Sequence, residues 1–267
     1  MRPLRRIRRI IKRLAGARFR ERHTADRGYL VCSSPRCGST YFCELLASTD
    51  VLGIPREYLN VGLGWGRLDQ ERATDLRPLF HRVLQAGVTP NGIYALKAHA
   101  DHFTAIAGIV DPLLALPNLK FVRIRRQDTL GQAISWLRAW QTHQFALTDR
   151  QKYTPCYDAA GIRTFLALLT EQEATWKRLF AGMGCTPLEI DYDSLVQNPQ
   201  RDVDRVARLM GLGHPAPIVP RRVKVTIQRD QLNAAWRSRF LAETGDEFGH
   251  LAIVTMPRSI PGSASAS

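Results

Sequence analysis

Tyr29-Leu30-Val31-Cys32-Ser33-Ser34-Pro35-Arg36-Cys37-Gly38-Ser39-Thr40 is the stretch on which the fold turns. Its four opening apolar residues, too few for a helix and followed by turn formers, predict a short buried strand over Tyr29–Cys32. Thr40 to Ser48 then reads as a helix. A strand that turns through Ser and Gly into a helix presents backbone N–H groups, hydroxyls and a helix N-terminus to one point, which suits an anion. The turn is not a Walker A loop, because the leading Gly is absent and Gly38-Ser39-Thr40 stands where Gly-Lys-Ser/Thr would. Its cation is Arg36, two residues before the glycine. Taken alone, the turn also reads as a tight connection with an N-cap.

The same alternation continues outward. Ile93–Leu96 and Leu119–Ile124 are strand candidates, the second introduced by the turn-like Pro117-Asn118. Asp128 reads as the N-cap of a helix to about Phe145, with Ala133, Leu137 and Trp140 on one face. Residues 159–181 read as a helix, Leu188–Tyr192 as a strand, and Arg201–Met210 as a helix closed by Gly211. Strands separated by helices predict βαβ units and a parallel sheet covered on both faces.

The chain has 267 residues with 38 Lys+Arg against 24 Asp+Glu, a formal charge of +14. Residues 1–27 hold eleven basic and two acidic side chains, so most of the excess sits in that arm. Leu4, Ile7, Ile11 and Leu14 recur at helical spacing there, the pattern of a basic amphipathic helix. One reading is a peripheral anchor on the anionic inner face of a membrane, where each basic residue contributes about 1 kcal/mol. Another is a helix packed on its own domain or a solvated arm. A nucleic-acid arm is the third, but no readout module follows it, so no nucleic-acid partner is expected. The expected division is the arm at 1–27, one domain at 28–256 and a disordered tail at 257–267. Five cysteines without a C-x-x-C pair indicate neither a disulfide framework nor a zinc site, and a cytoplasmic home is expected. No run approaches the ~18 apolar residues of a membrane span.

The opening stretch, followed by Gly53-Ile54-Pro55-Arg56-Glu57-Tyr58, resembles the Stf0 family of bacterial sulfotransferases. A second block, Val122-Arg123-Ile124-Arg125-Arg126-Gln127-Asp128 with Gln132-Ala133 and Ser135 to Thr142, resembles the same family. The resemblance spans about residues 28–242. It implies a P-loop NTPase-like three-layer α/β sandwich with a parallel central sheet, preceded here by the basic helix. It implies an enzyme that moves a sulfuryl group from 3′-phosphoadenosine 5′-phosphosulfate to a hydroxyl of a carbohydrate or glycolipid, and it hints at a homodimer. The rival classes are an ATP-dependent kinase of P-loop type and a non-enzymatic lipid or nucleic-acid binder acting through the arm.

Under this resemblance Ser34, Arg36, Cys37, Gly38, Ser39 and Thr40 hold the 5′-phosphosulfate, while Arg126 and Ser135 hold the 3′-phosphate. Glu57 corresponds to the family's general base, and Arg36 and Lys97 to cations on the transferring group. Such transfer rests on positioning and charge stabilisation. The moving group carries less charge than a phosphoryl, so amides and cations suffice and no metal is expected. Without the resemblance Glu57 reads as a solvated loop carboxylate, Lys97 as a strand-end lysine and Arg126 as part of a basic patch with Arg123 and Arg125. His99-Ala100-Asp101-His102 reads as a polar turn rather than a metal site or rival base. Cys37, at a helix N-terminus, is expected to have a lowered thiol pKa. Trp65 and His143 are candidates for the acceptor side, and Gln228 and Trp236 for the donor side.

Overall fold

In the computed structural model, which describes residues 24–60, 77–107, 116–145, 149–225, 231–245 and 247–248, the opening stretch is a strand, a turn and a helix. The elements follow in chain order as β1 (Arg27–Ser33), α1 (Ser39–Ser48), α2 (Arg77–Gly87), β2 (Ile93–His99), α3 (Ala100–Ala107), β3 (Leu119–Arg125), α4 (Thr129–Thr142), α5 (Ala159–Gly182), β4 (Leu188–Asp191), α6 (Tyr192–Gln197), α7 (Pro199–Leu209) and α8 (Gln231–Thr244). Two compact units divide them: residues 1–126 with 167–228, and residues 127–166 with 229–267.

Among the described residues, the first unit holds a sheet of four parallel strands in the order β2-β1-β3-β4. β1 is apolar without alternation because both its faces are covered. Tyr29 and Val31 pack with Phe42 and Leu46 of α1, Leu195 of α6 and Val203 of α7. Leu30 and Cys32 pack on the other side with Val83 of α2, Phe103 of α3 and Trp176 of α5. Each large apolar side chain so buried contributes roughly 1.5–3 kcal/mol. The result is three layers, helices on either side of a parallel sheet. β1 connects onward to β2 on one side and β3 to β4 on the other, so the carboxyl ends of β1 and β3 flank the point where the connections diverge. Open α/β sheets bind ligands there.

Several boundaries differ from the sequence reading. β2 runs to His99 rather than Leu96, with Lys97 and His99 in register with Val31 and Ser33. The fourth strand stops at Asp191, whose side chain accepts from Ser194 N at 2.9 Å and caps α6, so Tyr192 begins a helix. α4 stops at Thr142 because His143 takes the left-handed conformation, φ 55°. α7 starts at Pro199, capped by Asn198, earlier than the expected Arg201. His99 to His102 is not a turn but the junction of β2 and α3, where Gln172 of α5 accepts the Ala100 N–H at 2.8 Å. The helix expected in residues 1–27 lies outside the described residues except for 24–27, and the tail from Pro257 lies outside them entirely.

In the second unit Asp128 caps α4 through Gly131 N at 2.9 Å and pairs with Arg237 of α8. Arg138 donates to Asn233 at 2.7 Å, tying the same two helices together. Trp236 is buried in this unit, edge-on to Tyr157 with ring centroids 5.9 Å apart.

Candidate active site

The turn after β1 is shaped by two left-handed residues, Arg36 at φ 63° and Gly38 at φ 90°. A Cβ on Gly38 would run into the ring of Tyr192, so close approach as well as backbone angle calls for glycine. Gly38 caps α1 without a side-chain hydrogen bond, which leaves the amides of the first turn to other partners. Behind the turn, Trp176 Nε1 donates to Ser33 O at 3.0 Å. Ser34, Cys37 and Ser39 are buried, Arg36 is half-buried and Thr40 is exposed. Burial raises the Cys37 thiol above its ordinary value, outweighing the hydrogen bond to Ser34 and the pull of Lys97. The expectation of a lowered thiol pKa is therefore corrected: the helix end is present, but desolvation wins.

Glu57 reaches this turn from the segment that covers the outer edge of β2. Lys97 N donates to Arg56 O at 2.9 Å, and Ile54 N to Gly87 O at 2.8 Å. Gly53, at φ 71°, allows the approach, since a Cβ there would lie 2.7 Å from that of Ala95. Lys97 shares strand parity with Ile93 and Ala95 and so rises on the face that carries α1. Its Nζ sits 2.8 Å from Glu57 Oε1 and 3.2 Å from Thr40 Oγ1. Asn60 Nδ2 donates to Glu57 Oε2 at 2.9 Å.

His99 completes the cluster, a contributor the sequence reading set aside. Its Nδ1 lies 3.0 Å from Ser33 Oγ and 3.3 Å from Ser33 O. Ser33 Oγ directs its own hydrogen to Ala98 O at 3.2 Å, so both neighbours of Nδ1 accept. A proton on Nδ1 satisfies both, while Nε2 lies 3.7 Å from Glu57 Oε1, beyond hydrogen-bond distance. Burial and then the Lys97 ammonium push the His99 pKa down to about 4, against the attraction of Glu57. Burial alone would raise Glu57, but Lys97 and His99 and the hydrogen bonds from Lys97 and Asn60 hold its carboxyl down at about 2. At neutral pH His99 is uncharged, so Lys97 is the partner that matters.

Beside the turn, at the end of β3, the Arg126 guanidinium lies over the Tyr192 ring, 5.4 Å from its centroid. Tyr192, whose ring also limits Gly38, thus joins Arg126 to the turn. Ser135 lies half-buried on α4, in the second unit. His143 is exposed at the end of that helix, 5.6 Å from the Tyr153 ring. Trp65 and Gln228 lie outside the described residues. Among the described residues, no group of three His, Cys, Asp or Glu is placed to hold a metal ion.

A carboxylate bonded to a buried ammonium, which also touches Thr40 in the first turn of α1, can take a proton, hold an anion and neutralise charge that develops between them. The chain is 27% identical to the trehalose 2-sulfotransferase of Mycobacterium tuberculosis, over 82% of this chain and 96% of that protein. It is also 27% identical to that of Mycolicibacterium smegmatis, over 79% and 93%. The sequence pattern of the Stf0 sulphotransferase family matches residues 28–243, and with most of the chain inside that match the protein belongs to the Stf0 sulphotransferase family.

Proposed function

We propose that the protein transfers a sulfuryl group from 3′-phosphoadenosine 5′-phosphosulfate to a hydroxyl of a carbohydrate or glycolipid. Glu57 takes the hydroxyl proton, the acceptor oxygen forms a bond to sulfur, and the bond from sulfur to the 5′-phosphate oxygen breaks. Adenosine 3′,5′-bisphosphate leaves with that electron pair. The turn Ser34–Thr40 holds the 5′-phosphosulfate, Arg36 and Lys97 offset the charge on the bridging oxygen and the moving group, and Arg126 reads the 3′-phosphate. The observation that carries this reading is Lys97 placed between Thr40 of the anion turn and the carboxylate of Glu57. Trehalose, the acceptor in the names of the two relatives, is the first acceptor to try.

The test pairs binding with turnover. Adenosine 3′,5′-bisphosphate without Mg²⁺ should raise the melting temperature, and labelled sulfate should pass from the donor to a sugar or glycolipid extract. A response only to ATP with Mg²⁺ would favour a kinase and sink this reading. Glu57→Gln should lower turnover by about 100-fold or more, within the ~10² to 10⁴ of a placed general base, while the bisphosphate still binds.

A further inference from the structure

Lys97 faces two demands. Its ammonium is almost fully buried, and a buried charge needs a counter-ion. Glu57 supplies one at 2.8 Å, while Thr40 Oγ1, at the mouth of the anion turn, is 3.2 Å away on the other side. A carboxylate so paired is held at about 2, which makes it a poor proton acceptor near neutral pH.

Building on the sulfotransferase reading, we propose that Lys97 is a donor-sensing latch: it pairs with Glu57 until the 5′-phosphosulfate reaches the Thr40 end of the turn, then turns to that anion and releases Glu57 to act as base. Lys97 needs only to exchange partners that already flank it. Asn60 stays on Oε2, so the carboxylate remains oriented after the ammonium leaves. His99 is poorly placed to take over the pairing, because its Nε2 lies 3.7 Å from Glu57 Oε1, beyond hydrogen-bond distance, and burial disfavours its charged form. Base strength is thereby withheld until the donor is seated, and the order of events is built into one side chain.

The latch predicts that removing the base tightens donor binding. Titration calorimetry with adenosine 3′,5′-bisphosphate on the wild type, Glu57→Gln, Lys97→Met and the double variant tests it. Glu57→Gln should bind about 5- to 10-fold more tightly than wild type, because Lys97 no longer has to leave a carboxylate. Lys97→Met should bind at least about 10-fold more weakly. In the double variant the gain from Glu57→Gln should vanish. A gain that persists without Lys97 is only the loss of a repelling charge and overturns the latch, as does equal binding by wild type and Glu57→Gln. No bisphosphate binding by the wild type would instead overturn the sulfotransferase reading, and the latch with it. Lys97→Gln repeats the cycle if the methionine variant does not fold.

Discussion

Lys97 of β2 and Arg123 of β3 are both buried cations on the strands that flank β1, and each meets a carboxylate brought from outside the sheet. Glu57 meets Lys97, and Glu173 of α5 meets Arg123. Their surroundings differ. Lys97 ends beside Thr40 and the start of α1, where an anion can compete for it. Arg123 lies over the Phe180 ring, 5.7 Å from its centroid, and shares Glu173 with Arg125 at 3.2 Å. Phe180 and Trp176, from the same helix, fill the layer around it. Burial of an ion pair therefore does not mark function here. What separates the two is a second partner within reach: one pair can exchange, and the other fastens α5 to the sheet.

The largest effect expected at the fixed pair is on stability, and turnover per folded molecule is what separates it from the other. Glu173→Gln takes from buried Arg123 the carboxylate it is bonded to, which costs about 3 kcal/mol. Thermal unfolding should show a melting temperature lower by roughly 6–12 °C, with turnover per folded molecule unchanged below the transition. Turnover falling with stability intact would place Arg123 and Glu173 in the chemistry and break the comparison. Glu57→Gln also leaves a buried cation, Lys97, without its counter-ion and so should cost stability as well, but unlike Glu173→Gln it should lower turnover per folded molecule.

A third cation sharpens the same point. Arg126 lies over an aromatic face at the divergence of the strand connections. Arg126→Ala should weaken binding of adenosine 3′,5′-bisphosphate about 10-fold more than binding of adenosine 5′-phosphosulfate, since only the first carries the 3′-phosphate. Equal losses in paired calorimetric titrations would remove Arg126 from that role.

Much of this was legible because it is local. The unbroken apolar run of β1 announces a strand covered on both faces, Asp128 announces a helix start, and the blocks around Gly38, Glu57 and Arg126 carry the resemblance that the match over residues 28–243 bears out. What was not legible comes from packing. β2 looked finished at Leu96 because Lys97 and His99 are polar, yet both continue in register beside β1. α3 is only eight residues long, too short for its stripe of Ala100, Phe103 and Ile106 to stand out, and α8 buries only Trp236 and Phe240 among its described positions, so it shows no clear apolar stripe. Tyr192 looked like the end of a strand, and no spacing in the sequence places its ring between Gly38 and Arg126. The helix at Tyr192 could have been found from Asp191, an N-cap residue directly after an apolar run.

The smallest effect concerns His99, the member of the cluster that holds no charge at neutral pH. Burial and the neighbouring ammonium put its folded pKa at about 4, while the unfolded chain returns it to 6.5. Between those values the unfolded state carries a proton that the folded state refuses, so stability is fully present above pH 6.5 and declines as pH falls toward 4. Across pH 7 to 6 that decline is about 0.7 kcal/mol for this one group. Urea unfolding of the wild type and of His99→Gln at both pH values isolates it, because the other six histidines contribute equally to each protein. The variant should lose about 0.7 kcal/mol less than the wild type over that interval. Matching losses would mean that His99 titrates alike in the folded and unfolded chain, so that it gains charge between pH 7 and 6 and Glu57 would have a second cation beside it after Lys97 departs. In that case the exchange at the end of β2 could not free the carboxylate, and the contrast with the fixed pair at Arg123 would disappear.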